Sequence, residues 1–149
     1  MASGILITAI SSGSGKTAAA CALMAAYQAQ NKKVSSCKCG PDYIDPMFHK
    51  EVLGVDSKNL DLFFSSEDEL RKEYAKHAAD AELVITEGVM GYYDGMRLDS
   101  VTASSYDVAR TLDIPAVLIL PCKGAALSLC AVVSGIVSFQ KTAIFRGSF

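Results

Sequence analysis

At 149 residues the chain is long enough for one domain with a substantial core and too short for two ordinary ones. Half of the residues are hydrophobic, a fifth are charged and the formal net charge is -2, with no basic stripe and no interleaved aromatic ladder, which excludes nucleic acid as a partner by charge. No apolar stretch approaches the length of a membrane span, and the five cysteines (Cys21, Cys37, Cys39, Cys122 and Cys130) lack CxxC spacing behind a start without a secretory pattern, so a reducing cytoplasm is expected.

Short aliphatic runs alternate with helix-like segments, the pattern of a mostly parallel α/β sheet covered on both faces. Gly4 to Ala9 predicts a first strand. After a glycine-serine turn, an alanine-rich helix is expected from about Lys16 to Gln30, closing near Asn31 with Lys32 and Lys33 at its negative end. Val34 to Lys38 predicts the second strand, on which Cys37 and Cys39 would face one side; a zinc site there would need two further ligands. From Cys39 to Ser65, with Pro41 and Pro46, the only element expected is a short helix around Met47 to Leu53, and so long a connection points to function.

Ser66 followed by Glu69 has the spacing of a capping box, and Leu70, Tyr74, His77 and Ala78 share one face of a helix ending near Ala79. Glu82 to Thr86 predicts a third strand that delivers Glu87 and the loop Gly88 to Gly95 at its carboxyl end. A helix near Ser104 to Leu112, a fourth strand at Ala116 to Leu120 and a helix from about Ala125 to Phe139 follow.

Three strings carry the chemistry. Ser11-Ser12-Gly13-Ser14-Gly15-Lys16-Thr17 sits between a strand and a helix. There, glycines let backbone amides turn around phosphate oxygens, the helix start adds its positive end, Lys16 supplies a mobile charge and Thr17 a hydroxyl for Mg2+. Ile10 stands where the full pattern has a glycine. Lys38-Cys39-Gly40-Pro41-Asp42-Tyr43-Ile44-Asp45-Pro46-Met47-Phe48-His49 begins at the end of the second strand, the edge at which open parallel sheets bind ligands. Asp42 and Asp45 there either hold Mg2+, orient a substrate or serve as ordinary turn residues. Glu87-Gly88-Val89-Met90-Gly91-Tyr92-Tyr93-Asp94-Gly95 places a carboxylate directly after a buried strand, where it would complete an oxygen shell begun by Thr17. His49 suits either a substrate carboxylate or a local hydrogen bond, His77 a packed helix surface, and Met90, Tyr92 and Tyr93 either a flat ligand's pocket or loop packing.

Together with Asn59-Leu60-Asp61 and Lys123-Gly124-Ala125-Ala126-Leu127-Ser128, these strings resemble the amino-terminal synthetase domain of the cobyrinic acid a,c-diamide synthase family. The likeness extends to the hydrogenobyrinic acid and nickel-sirohydrochlorin a,c-diamide synthases. It implies a doubly wound, P-loop NTPase-like and dethiobiotin-synthetase-like fold lacking its last strands. It implies ATP and Mg2+ as cofactors, a tetrapyrrole carboxylate as substrate, an acyl phosphate and glutamine-derived ammonia.

On that resemblance Ser12, Gly13, Ser14, Gly15, Lys16, Thr17 and Lys38 bind the nucleotide; Thr17, Asp42 and Glu87 hold Mg2+; and Lys16, Asp45 and Asp94 act at the reacting groups. Family members also carry a glutaminase domain, so 1–139 is expected to be an incomplete synthetase-like domain and 140–149 a divergent tail. An uncovered sheet edge would favour association with a second copy. Two alternatives stay open: another carboxylate-activating P-loop enzyme such as dethiobiotin synthetase, and a non-catalytic nucleotide-binding module. Loss of selectivity for corrin over diaminopelargonate would favour the first, and nucleotide-dependent dimerisation the second.

Overall fold

In the computed structural model, which describes residues 3–145, strands and helices alternate. Their order is β1 (Ser3–Ala9), α1 (Lys16–Gln28), β2 (Val34–Cys39), α2 (Ile44–Leu53), β3 (Ser57–Leu60), α3 (Glu67–His77), β4 (Leu83–Glu87), α4 (Ser105–Leu112), β5 (Ala116–Ile119) and α5 (Ser128–Phe139). The strands form one sheet in the order β3-β2-β4-β1-β5, and every neighbouring pair is parallel. The expected α/β class is therefore present, with all strand carboxyl ends along one edge.

The two-residue period of a strand divides the side chains between the faces. Leu6, Cys37, Cys39 and Val84 turn to a core shared with Leu70 of α3 and with Tyr106, Val108 and Ala109 of α4. Ile7, Leu83 and Ile85 turn the other way, onto Ala20 and Met24 of α1. Cys37 and Cys39 thus pack on one side of β2, as their spacing predicts; burial pushes the Cys37 thiol pKa up and the Cys39 thiol up to about 12.

The stretch 39–65 is more regular than its sequence suggests. Strand β3 reads Ser-Lys-Asn-Leu, with one buried aliphatic residue, and among the described residues pairs only with β2 at the sheet edge, so no apolar run announces it. Helix α2 begins at Ile44 because Asp42 Oδ1 accepts the amides of Ile44 (2.9 Å) and Asp45 (3.4 Å). Pro46 then falls in the first turn, where its missing N–H costs nothing.

Helix α1 stops at Gln28 with no basic residue in its last turn; Asn31 takes a left-handed turn (φ 59) and Lys32 lies 5.5 Å over the Tyr27 ring instead. After α5 the chain returns to the sheet, where Ala116 donates to the Ile144 carbonyl (2.8 Å) and pairs in parallel with Phe145. Residues 146–149 of the expected divergent tail lie outside the described residues. Among the described residues no helix is long and apolar enough to cross a membrane.

Candidate nucleotide site

The loop between β1 and α1 is shaped by backbone that only glycine adopts readily. Gly13 and Gly15 have φ of 72° and 94°, and an added Cβ at either would meet nothing within 4 Å, so conformation rather than space demands glycine. Gly15 also caps α1 without a side chain. The first-turn amides are then left to a ligand at the positive end of the helix. The Ser14 hydroxyl donates to the Ser11 carbonyl at 3.0 Å, holding the turn.

Lys16 ties two loops together, its Nζ donating to the carbonyls of Ser11 (2.9 Å) and Met90 (2.7 Å). Burial and the nearby Lys38 charge lower its pKa, opposed by Glu87 and Asp94. The loop after β4 comes this close because Gly91 has no side chain: a Cβ there would stand 2.7 Å from the Ile10 carbonyl oxygen.

The register of β2 on β4 sets Lys38 beside Glu87. Glu87, with a side chain 1% exposed, accepts on Oε1 both the Thr17 hydroxyl (2.5 Å) and Lys38 Nζ (2.9 Å). Lys38 Nζ also lies 2.7 Å from Asp45 Oδ2 and 3.8 Å from Asp42 Oδ2. Burial works against this ammonium, but its bonds to Asp45 and Glu87 outweigh burial and raise its pKa. Glu87 Oε2 is buried with no hydrogen-bond partner among the described residues, and His49 Nε2 stands 3.7 Å away. The His49 ring is fully buried, with Nδ1 2.8 Å from Ser36 Oγ; burial lowers its pKa despite Glu87 and Asp45.

A cavity of about 420 Å3 opens between these loops, and Ser12, Gly13, Gly15, Lys16, Thr17, Lys38, Asp42 and Glu87 all line it. Ser14 turns its hydroxyl to the loop, and Asp45 reaches the group through Lys38. Asp94 Oδ2 accepts the Gly91 amide at 2.8 Å, so its carboxylate shapes the turn beside Lys16. Among the described residues no group of three or more His, Cys, Asp or Glu side chains is arranged to hold a metal ion. Thr17 and Glu87, which meet through Oε1 at the cavity, nevertheless offer oxygen donors only, and that chemistry suits Mg2+, which takes most of its shell from water and phosphate.

Other sequence candidates are spoken for elsewhere. Tyr92 is 2% exposed and stacks edge-on against Tyr106, while the Tyr93 hydroxyl donates to the Ile136 carbonyl. His77 Nε2 donates to the Ser36 carbonyl at 2.9 Å. Sequence reasoning missed Ser36, which no motif contains. The signal was the two-residue spacing that puts it on the Lys38 face of β2.

Known proteins resemble this chain in sequence and in fold. The profile of the CobQ/CobB/MinD/ParA nucleotide binding domain matches residues 5–130. A cobyrinate a,c-diamide synthase of Clostridium tetani is 40% identical over 140 residues, covering 94% of this chain and 31% of that protein. A namesake from a Synechococcus species is 41% identical over 136 residues, covering 91% of this chain and 30% of that protein. The chain thus spans just under a third of the length of these relatives. The crystal structure of the hydrogenase maturation factor HypB from Archaeoglobus fulgidus overlays 97% of this chain and 79% of its own, with a TM-score of 0.52 and 13% identity, a likeness of fold alone.

Proposed function

This chain belongs to the CobQ/CobB/MinD/ParA nucleotide-binding domain family, and from that premise we propose that it forms the ATP-binding part of an enzyme that amidates the a and c carboxylates of cobyrinic acid with glutamine-derived ammonia. The observation that carries the reading is convergence. Lys16 and Thr17 after β1, Lys38 at the end of β2 and Glu87 at the end of β4 meet on one cavity.

In this reading the amides from Gly13 to Thr17 and the Lys16 ammonium hold the terminal phosphates. Thr17 and Glu87 hold Mg2+, with Asp42 as third ligand, and the ion supplies neutralisation of phosphate charge. A carboxylate of the acceptor attacks the γ-phosphorus and ADP departs, leaving an acyl phosphate from which ammonia displaces phosphate. The protein's task is positioning more than covalent help. Asp45 and Asp94 are assigned to the acceptor side, Asp45 through the ammonium of Lys38 that also binds Glu87.

Calorimetric titration of ATP with Mg2+ tests the nucleotide reading. The wild-type chain binds, and Lys16→Ala loses a charge-assisted contact of about 1.5 to 3 kcal/mol, roughly ten- to a hundredfold in affinity. Equal affinity in the two proteins would sink it.

A further inference from the structure

Two buried polar atoms face one another beside the site, each without a hydrogen-bond partner among the described residues: His49 Nε2 and Glu87 Oε2, 3.7 Å apart. Native proteins rarely leave such pairs unmade. The other oxygen of Glu87 is already taken by Thr17 and Lys38, so the carboxylate is oriented from one side only. The far end of the imidazole is anchored, with Nδ1 2.8 Å from Ser36 Oγ and that hydroxyl 2.9 Å from Ser57 Oγ. If Ser36 donates to Nδ1, the ring hydrogen sits on Nε2, aimed at Glu87.

We propose that His49 is a positioning residue for Glu87, its Nε2–H donating to Oε2 and so fixing the plane in which the carboxylate presents Oε1 to the divalent cation of a bound nucleotide. This rests on the reading of the cavity as a Mg2+–ATP site. The arrangement is that of an outer partner which orients a ligand without touching the metal. An apolar side chain would fill the same space, but would leave Oε2 unanswered. Helix α2 then has two ties to the site, because Asp45 on the same helix grips Lys38.

The test measures ATP affinity calorimetrically in Mg2+ and in EDTA, for wild type, His49→Asn and His49→Gln. Asparagine keeps a polar atom near the Nδ1 position facing Ser36 but falls short of Glu87; glutamine reaches it. The gain in affinity on adding Mg2+ is expected to fall about tenfold in His49→Asn, the scale of a hydrogen bond to a charged group, and to return to within about threefold of wild type in His49→Gln. A merely structural histidine would lower affinity equally with and without Mg2+, and that result, or an unchanged Mg2+ gain, overturns the proposal while leaving the nucleotide reading intact. Absence of ATP binding by the wild-type chain overturns both. If His49→Asn fails to fold, Ser36→Ala releases the ring's anchor without altering the ring; a reduced Mg2+ gain supports the proposal and an undiminished one refutes it.

Discussion

Lys38 shows how much one side chain can hold. Its side chain is 6% exposed, and its ammonium bridges Glu87 and Asp45. Removing one partner of a buried pair leaves an uncompensated charge, so Lys38→Met should cost about 3 to 5 kcal/mol in urea unfolding, and a second change, Glu87→Gln, should restore most of it. A loss below about 1 kcal/mol would show that the pair contributes little. The sign with pH follows from the raised pKa of Lys38. Its contribution is complete below the unfolded lysine value of about 10.4 and fades only as pH climbs through the higher folded value, so the gap between wild type and Lys38→Met stays level from about pH 7 to 9. The cysteines make a second test at this scale. Cys37 and Cys39 are buried, with raised pKa values, whereas Cys122 and Cys130 are exposed. A thiol reagent should therefore modify Cys122 and Cys130 in the native protein and reach Cys37 and Cys39 only on unfolding; rapid native labelling of either buried thiol would contradict the packing of β2.

Among the elements, α3 is the one whose start is written most locally. The Ser66 hydroxyl accepts the Glu69 amide and the Glu69 carboxylate accepts the Ser66 amide, so Ser66→Ala should lower stability by about 1 kcal/mol, read as a shift in the unfolding midpoint with an unchanged slope. The same locality explains what sequence reveals. The capping box, the glycine turn before α1 and the aliphatic runs of β1 and β4 each report a neighbourhood of a few residues, and these elements are found where expected, within a residue or two at their ends. Strand β3 is held by pairing with β2 across more than twenty positions of chain, and its own residues carry no apolar signal. The site divides in the same way. Lys16 and Thr17 belong to a contiguous motif, whereas the meeting of Lys38 with Glu87 depends on the register of β2 against β4, and that of His49 with Glu87 on where α2 lies over both. Neither distance is encoded in any single stretch.

Across the whole molecule, the sheet order sets the nucleotide site apart from the exposed thiols Cys122 and Cys130. A glutaminase of the cysteine type needs a thiolate beside a base. The sequence has two histidines, and both are bonded to Ser36 of β2: His49 through its side chain, His77 through its carbonyl. Cys122 follows β5 and Cys130 lies in α5, while β5 is three strand spacings from β2, roughly 14 Å at the usual separation. Cys21 lies nearer the site, where burial and then the charges of Glu87 and Asp45 raise its pKa and work against the thiolate. Cys37 and Cys39 turn into the opposite core. We therefore expect this 149-residue chain, given ATP, Mg2+, glutamine and cobyrinic acid, to bind nucleotide yet form no amide and release no glutamate. Chromatography of the corrin products with a glutamate assay decides it. Glutamate release that survives replacement of Cys122 and Cys130 but not of Cys21 would show that the site's own carboxylates do not suppress that thiol, and the expectation would fail.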